Sequence, residues 1–145
     1  MDRAAHPDEE ALEGPPRPLP ALNEMNSYFW RGGGDGRLHI LGCEDCSTLI
    51  HPYAARCPKC GSARLAPRPV SGRGEVLSFT VNHQAWAPGL ATPYVIALVQ
   101  LEEQADIRLV TNLPTCPIEA VRAGMPVKVF FEQHGEVFLP QFEPV

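Results

Sequence analysis

Four of the five cysteines stand in two pairs, Cys43-Glu-Asp-Cys46 and, ten residues further on, Cys57-Pro-Lys-Cys60-Gly61. Thiolates at this spacing bind a metal ion. In each pair the first sulfur lies at the end of a strand and the second follows a tight turn. Both then face one ion, and two such knuckles complete a tetrahedron. Gly61 suits the turn, because the residue after the second cysteine often needs a positive φ that glycine adopts cheaply. Ser47 occupies the equivalent place in the first knuckle and fits it less well. Pro58 restrains the second turn by fixing φ. The competing reading is two disulfides or four buried thiols. Cysteines within one knuckle rarely bridge each other, and residues 1–21 lack the apolar core of a signal peptide. Zinc is the default ion, and iron in a rubredoxin-like site is the alternative, since four thiolates accept either. A rubredoxin carries the Cys-Pro-x-Cys-Gly knuckle twice, and here it occurs once. Four protein ligands leave no vacancy, so the site reads as structural: it holds a segment too short to bury its own core.

The remaining reactive side chains form no comparable pattern. His39 and His51 lie near the cysteines but are not needed as ligands. Cys116 precedes Pro117 in a loop and reads as a free thiol without a role. Glu102 and Glu103 fall in a turn, where solvation is the simpler account. There is no nucleophile elbow, no Ser/His/Asp or Cys/His arrangement and no phosphate-cradling glycine loop, which argues against an independent enzyme. Gly32-Gly33-Gly34 follows a helical stretch and reads as its terminator.

The elements that must position the thiols are short. The chain has 145 residues, 44% of them apolar, and sixteen prolines that break it into small units. Its charge of −5 opposes broad affinity for nucleic acid. No apolar run is long enough to span a membrane, and metal-bound thiolates suit a reducing cytoplasm. Residues 1–21, rich in proline and acidic groups, read as a disordered tail. Asn23 is placed to cap a helix running to about Arg31, which carries Tyr28-Phe29-Trp30. These rings either fold onto the chain's own core or anchor a partner protein. Gly36 to Cys43 reads as a strand and Leu49-Ile50-His51-Pro52 as its return, so residues 22–66 make a helix and metal ribbon. Pro67-Arg68-Pro69 reads as a stiff connector. Residues 70–145 then turn to β. The first strand is Glu75 to Val81, with Val76, Ser78 and Thr80 on one face. Tyr94 to Leu101 is a central strand buried on both faces, followed by Ile107 to Leu113. A short helical segment from Pro117 precedes strands around Val127–Phe131 and Val137–Phe142. Five strands with a small helix between the third and fourth is the order of a Greek-key OB barrel. The fold class is therefore mostly β: a short helix, a rubredoxin-like zinc ribbon and a five-stranded OB-fold domain.

The chain resembles the acyl-CoA-associated zinc-ribbon/OB-fold family, long catalogued as a domain of unknown function. The resemblance runs over residues 22–145. It is carried by Tyr28-Phe29-Trp30 with Gly36-Arg37-Leu38, by the two knuckles, by Gly74-Glu75-Val76 with Ser78-Phe79-Thr80, and by Pro93 to Val99. Gly124-Met125-Pro126-Val127-Lys128-Val129 and Pro140 to Val145 complete it. Ser47, where a knuckle glycine is common, departs from the pattern. The resemblance implies a non-catalytic subunit that assembles with thiolase-like enzymes acting on acyl-CoA thioesters, or with acyl-CoA hydratases. Partners in the family include a retro-aldolase of steroid side-chain degradation and acyltransferases. It further implies that the ribbon and aromatic helix dock on the catalytic subunit while the barrel helps enclose acyl-CoA. His83 and Trp86, in the loop from Asn82 to Pro93, are the candidate substrate contacts, and a structural role for His83 is the competing account. Two other classes of function compete with this one. A single-strand nucleic-acid binder needs a basic groove and exposed stacking rings, which the acidic balance opposes. A rubredoxin-like electron carrier needs iron, and a barrel has no obvious purpose in it.

Overall fold

Alternation along one strand divides the apolar side chains between two cores. The computed structural model describes residues 17–145, so most of the expected tail lies outside the described residues. Strand β1 runs Leu38–Cys43. Leu38 and Ile40 enter the main core from one face, and Leu41 and Cys43 enter a small core around the cysteines from the other. Strand β2, Leu49–Ile50, pairs with one edge of β1, and strand β3, Leu65–Val70, with the other. The two residues of β2 divide in the same way, Leu49 to the main core and Ile50 to the small one.

The placement of β3 corrects the reading of Pro67-Arg68-Pro69 as a connector. Pro67 sits opposite Leu41 and Pro69 opposite His39. Strand β3 lies at the sheet edge. Prolines two residues apart point their missing N–H groups to the same side, which at an edge is the side without a partner.

The second sheet holds β4 (Arg73–Asn82), β5 (Tyr94–Leu101), β6 (Arg108–Asn112), β7 (Pro126–His134) and β8 (Val137–Pro144), in the order β6-β5-β4-β7-β8. A 3-10 turn at Ile118–Ala120 lies between β6 and β7, where the small helix is expected. Strands β6 and β8 close the barrel through a side chain: Thr111 Oγ1 donates to the Pro140 carbonyl at 3.0 Å. Two details of the strands differ from expectation. A bulge between Val76 and Ser78 shifts the parity of β4 by one residue. Val76, Phe79 and Val81 therefore share the face of Val99, Ala97 and Val95, while Ser78 and Thr80 turn away. Strand β5 is buried on one face only: Val95, Ala97, Val99 and Leu101 are buried, whereas Tyr94, Ile96, Leu98 and Gln100 are half-buried.

The helix, α1, is shorter than expected and runs Ser27–Gly32. Asn23 instead organises the preceding turn, its Oδ1 accepting from the backbone N–H groups of Met25 and Asn26. The glycine run does not end the helical path. Gly33–Asp35 continues it as a 3-10 turn, and the reversal comes at Gly36, with φ 80°. Gly33 is required by packing, since a Cβ there would lie 2.4 Å from the Phe131 ring. Phe29 is buried, with its ring edge-on to Trp30 at 4.8 Å and stacked at a tilt on His51 at 5.0 Å.

Phe29→Ala is expected to destabilise the chain by about 3–5 kcal/mol in denaturant unfolding. Trp86→Ala, at a site 75% exposed, is expected to stay within about 0.5 kcal/mol of wild type. Burial also holds the His51 imidazole below its ordinary pKa of 6.5. The unfolded chain then takes up a proton that the folded chain resists, so stability falls as the solution is acidified through about pH 6.5. His51→Gln is expected to flatten unfolding free energy against pH between about pH 7 and 6; an unchanged slope would place the proton uptake elsewhere.

Candidate metal centre and partner face

The two knuckles superpose residue for residue in their backbone bonding. The Ser47 N–H donates to the Cys43 carbonyl at 2.9 Å, and the Gly61 N–H donates to the Cys57 carbonyl at 2.9 Å. Likewise the Cys43 N–H donates to the Thr48 carbonyl at 2.9 Å and the Cys57 N–H to the Ser62 carbonyl at 2.8 Å. Both turns need a left-handed residue: Gly61 has φ 77°, and Ser47 takes φ 63° despite its side chain. The departure at Ser47 is thus absorbed as local strain with the knuckle geometry intact.

All four sulfurs lie within 4.8 Å of one another, with Cys43–Cys60 and Cys46–Cys57 both at 3.6 Å. A tetrahedral ion with metal–sulfur bonds of about 2.3 Å requires sulfurs about 3.8 Å apart, so the residues fit a four-thiolate metal. A disulfide requires about 2.05 Å, and the cysteines are free thiols. The thiols also conflict electrostatically. Hydrogen bonding from the Thr48 hydroxyl and backbone lowers the Cys46 thiol to about 6. At Cys60 the Ser62 backbone N–H favours the thiolate, but the neighbouring cysteines, first among them Cys43, and burial outweigh it and push the thiol up to about 12. Only a cation lets all four ionise together. Cys43 and Cys57 are buried and Cys60 is exposed. Among the described residues, no other group of three or more His, Cys, Asp or Glu ligand atoms is close enough to hold an ion. His39 Nε2 lies 3.0 Å from an Asp35 carboxylate oxygen, and His51 is stacked on Phe29, so neither turns to the sulfurs.

Two supporting residues escaped the sequence reading. Arg68, between the prolines of β3, donates to the Ser47 carbonyl at 3.1 Å and to the Cys43 carbonyl at 3.3 Å. Gly42 makes room for its guanidinium, 3.0 Å from where a Cβ would lie. Gln104, in the turn between β5 and β6, bonds both backbone groups of Leu49: the Leu49 N–H donates to Oε1 at 2.8 Å and Nε2 donates to the Leu49 carbonyl at 2.8 Å. A single glutamine in a polar turn gives no local signal for either role.

The aromatic trio separates. Phe29 belongs to the main core, while Tyr28 and Trp30 pack against it half-buried and keep surface to offer. Burial raises the Tyr28 pKa, with Tyr53 nearby. Trp30 and Phe29 border a groove of about 290 Å³ between β6 and β8, with Arg17, Leu109 and Leu139. A second groove of about 530 Å³ continues past Leu90, Ile96, Val110 and Cys116. Arg17 sits where they meet, 2.8 Å from Glu132 and donating to Asn112 Oδ1 at 3.1 Å. His83 and Trp86 line neither groove. His83 is exposed, and the Trp86 indole donates to Asn82 Oδ1 at 3.1 Å. Cys116 is buried in the main core. No helix among the described residues is long and apolar enough to cross a membrane.

Two profiles of known families match the chain in sequence order. A profile described as "ChsH2, rubredoxin-like zinc ribbon domain" matches residues 30–66, and one described as "ChsH2, C-terminal OB-fold domain" matches residues 67–132. The chain is 40% identical over 129 residues to a "Probable enoyl-CoA hydratase alpha subunit" of Thermomonospora curvata, covering 88% of this chain. It is 34% identical over 125 residues to the "3-oxo-4,17-pregnadiene-20-carboxyl-CoA hydratase alpha subunit" of Mycobacterium tuberculosis, covering 86%. It spans only 40% and 39% of the length of these two relatives. The "Benzoylsuccinyl-CoA thiolase subunit BbsA" of Thauera aromatica is 29% identical over 105 residues, with 70% of this chain and 71% of the relative covered. Among solved structures, a chain of the "Ltp2-ChsH2(DUF35) aldolase" superposes with a TM-score of 0.78 at 38% identity, covering 87% of this chain and 98% of that one. With both profiles matched in order and that chain covered almost end to end, this protein belongs to the ChsH2/DUF35 family of zinc-ribbon/OB-fold proteins.

Proposed function

We propose that the chain is a non-catalytic accessory subunit that binds and stabilises a thiolase-like enzyme acting on acyl-CoA thioesters, and that it helps form the acyl-CoA site of that enzyme. The observation that carries this reading is the likeness to the ChsH2(DUF35) chain of an aldolase, which spans 98% of that chain. The thiolase subunit of Thauera aromatica favours the same class of partner. The chain's own ionisable groups support a partner as the source of acid–base chemistry. Outside the metal centre, Glu132 pairs with both Arg17 and His134, and Asp35 pairs with His39. A steroid side-chain retro-aldolase is the favoured partner, because a relative acts, by its name, on a pregnadiene carboxyl-CoA. A second reading, an acyl-CoA hydratase as partner, is favoured by the names of the two hydratase subunits. Their additional length is where we place the hydratase chemistry, since this chain aligns with only 40% and 39% of them. The ion is zinc, held by Cys43, Cys46, Cys57 and Cys60, and four unbridged thiols suit the cytoplasm. When bound, the ion crosslinks the two knuckles and supplies no reaction chemistry. Tyr28 and Trp30 are the docking residues, with His83 and Trp86 offered to the acyl-CoA from their exposed loop.

Affinity capture from the source cells tests this reading, with metal analysis of the same sample. A thiolase-like protein recovered with zinc supports it; a hydratase recovered alone favours the second reading, and nucleic acid or bound iron overturns it. Cys57→Ser is expected to lose its zinc on dialysis and to capture partner about tenfold less well. Tyr28→Ala with Trp30→Ala is expected to weaken capture by about 2 kcal/mol or more, as interface aromatics do, with little loss of thermal stability. If the double variant instead unfolds early and binds normally once folded, both rings belong to the chain's own core.

A further inference from the structure

We propose that Gln104 is a latch that transmits the metal state of the ribbon to the barrel. Strand β2 is only two residues long and starts three residues after Cys46. Its carbonyl neighbour Thr48 accepts from the Cys43 N–H inside the first knuckle. Ile50 packs in the small core with Cys43 and Cys57, and Leu49 in the main core with Val76 and Val99. One edge of β2 is bonded to β1, and the other would be bare. Gln104 occupies that bare edge as one more strand would, accepting from the Leu49 N–H and donating to the Leu49 carbonyl, each at 2.8 Å. Its orientation is fixed by a second acceptor, Asp106 Oδ1, at 2.7 Å from Nε2. The turn that carries it is tied to the barrel. The Ile107 N–H donates to the Gln104 carbonyl at 3.1 Å, and the Leu101 N–H to the Ile107 carbonyl at 3.0 Å. The path from sulfur to barrel is therefore continuous: knuckle, Thr48, Leu49, Gln104, Ile107, β5.

A strand of two residues has little intrinsic stability. The knuckle holds β2 straight only while the metal crosslinks it, and Gln104 can bond both groups of Leu49 only while β2 is straight. Metal and latch thus favour the same conformation, and such coupling is reciprocal: whatever protection the metal gives the turn, the latch returns as metal affinity. Two neutral hydrogen bonds make this worth about a tenfold change in affinity.

The test uses the full chain, with hydrogen exchange as one readout and zinc affinity, by competition with a chromophoric chelator, as the other. In wild type, removing zinc should speed exchange at residues 43–60 and also at residues 102–107, while β7 and β8 keep their protection. In Gln104→Ala, the turn should already exchange fast with zinc bound, zinc removal should add nothing there, and zinc should bind about tenfold more weakly. A purely structural glutamine would lower overall stability without linking turn exchange to zinc. Turn exchange in wild type that ignores zinc overturns the proposal, and it can be read even if the variant does not fold. A folded variant with unchanged zinc affinity overturns it as well.

Discussion

Four thiols confined within 4.8 Å of one another cannot all ionise unaided, and the rest of the ribbon depends on resolving that repulsion. The small core beside them contains little more than Leu41 and Ile50 with Cys43 and Cys57. Area of that size offsets only a small part of the entropy lost in ordering two knuckles. A cation turns the repulsion into the strongest contact in the segment. The surrounding polar groups serve it: Arg68 gathers the carbonyls of the first knuckle, and Ser62 and Arg64, just beyond the second knuckle, bond to Asp45 within the first.

The ribbon does not stand alone on that ion. Leu38, Ile40 and Leu49 reach the barrel core, joined there by Phe29 from α1. Helix, ribbon and barrel are therefore three chain segments around one apolar core, with the metal core attached to its side. The docking face proposed above would thereby have a firm back, because half-buried Tyr28 and Trp30 pack against the core that holds Phe29.

Legibility in the sequence followed the range of the interaction. The thiol spacing and the order of the OB strands rest on patterns of near neighbours, and the structure agrees with both, whereas the apolar run of β5 signals burial on two faces and the strand is buried on one. Pro67-Arg68-Pro69 was misread because prolines signal a connector unless the strand is known to lie at an edge, which only the pairing with β1 decides. The bulge in β4 reversed a face assignment that strict alternation had made. Gly33 looked like a terminator because the Phe131 ring that excludes a side chain there lies far along the chain. Gln104 and Leu49 are 55 residues apart, and nothing in a polar turn announces such a partner.

The prolines of β3 carry a consequence for colloidal behaviour. A bare strand edge is a template on which further chains can stack into fibrils. The ribbon sheet closes both of its edges, one with Pro67 and Pro69, which offer no N–H, and the other with the side-chain amide of Gln104. Strand exchange with a neighbouring copy is thereby denied to the ribbon even at the high local concentrations of a nascent polysome, and recognition is left to side chains, which can discriminate between partners where backbone cannot.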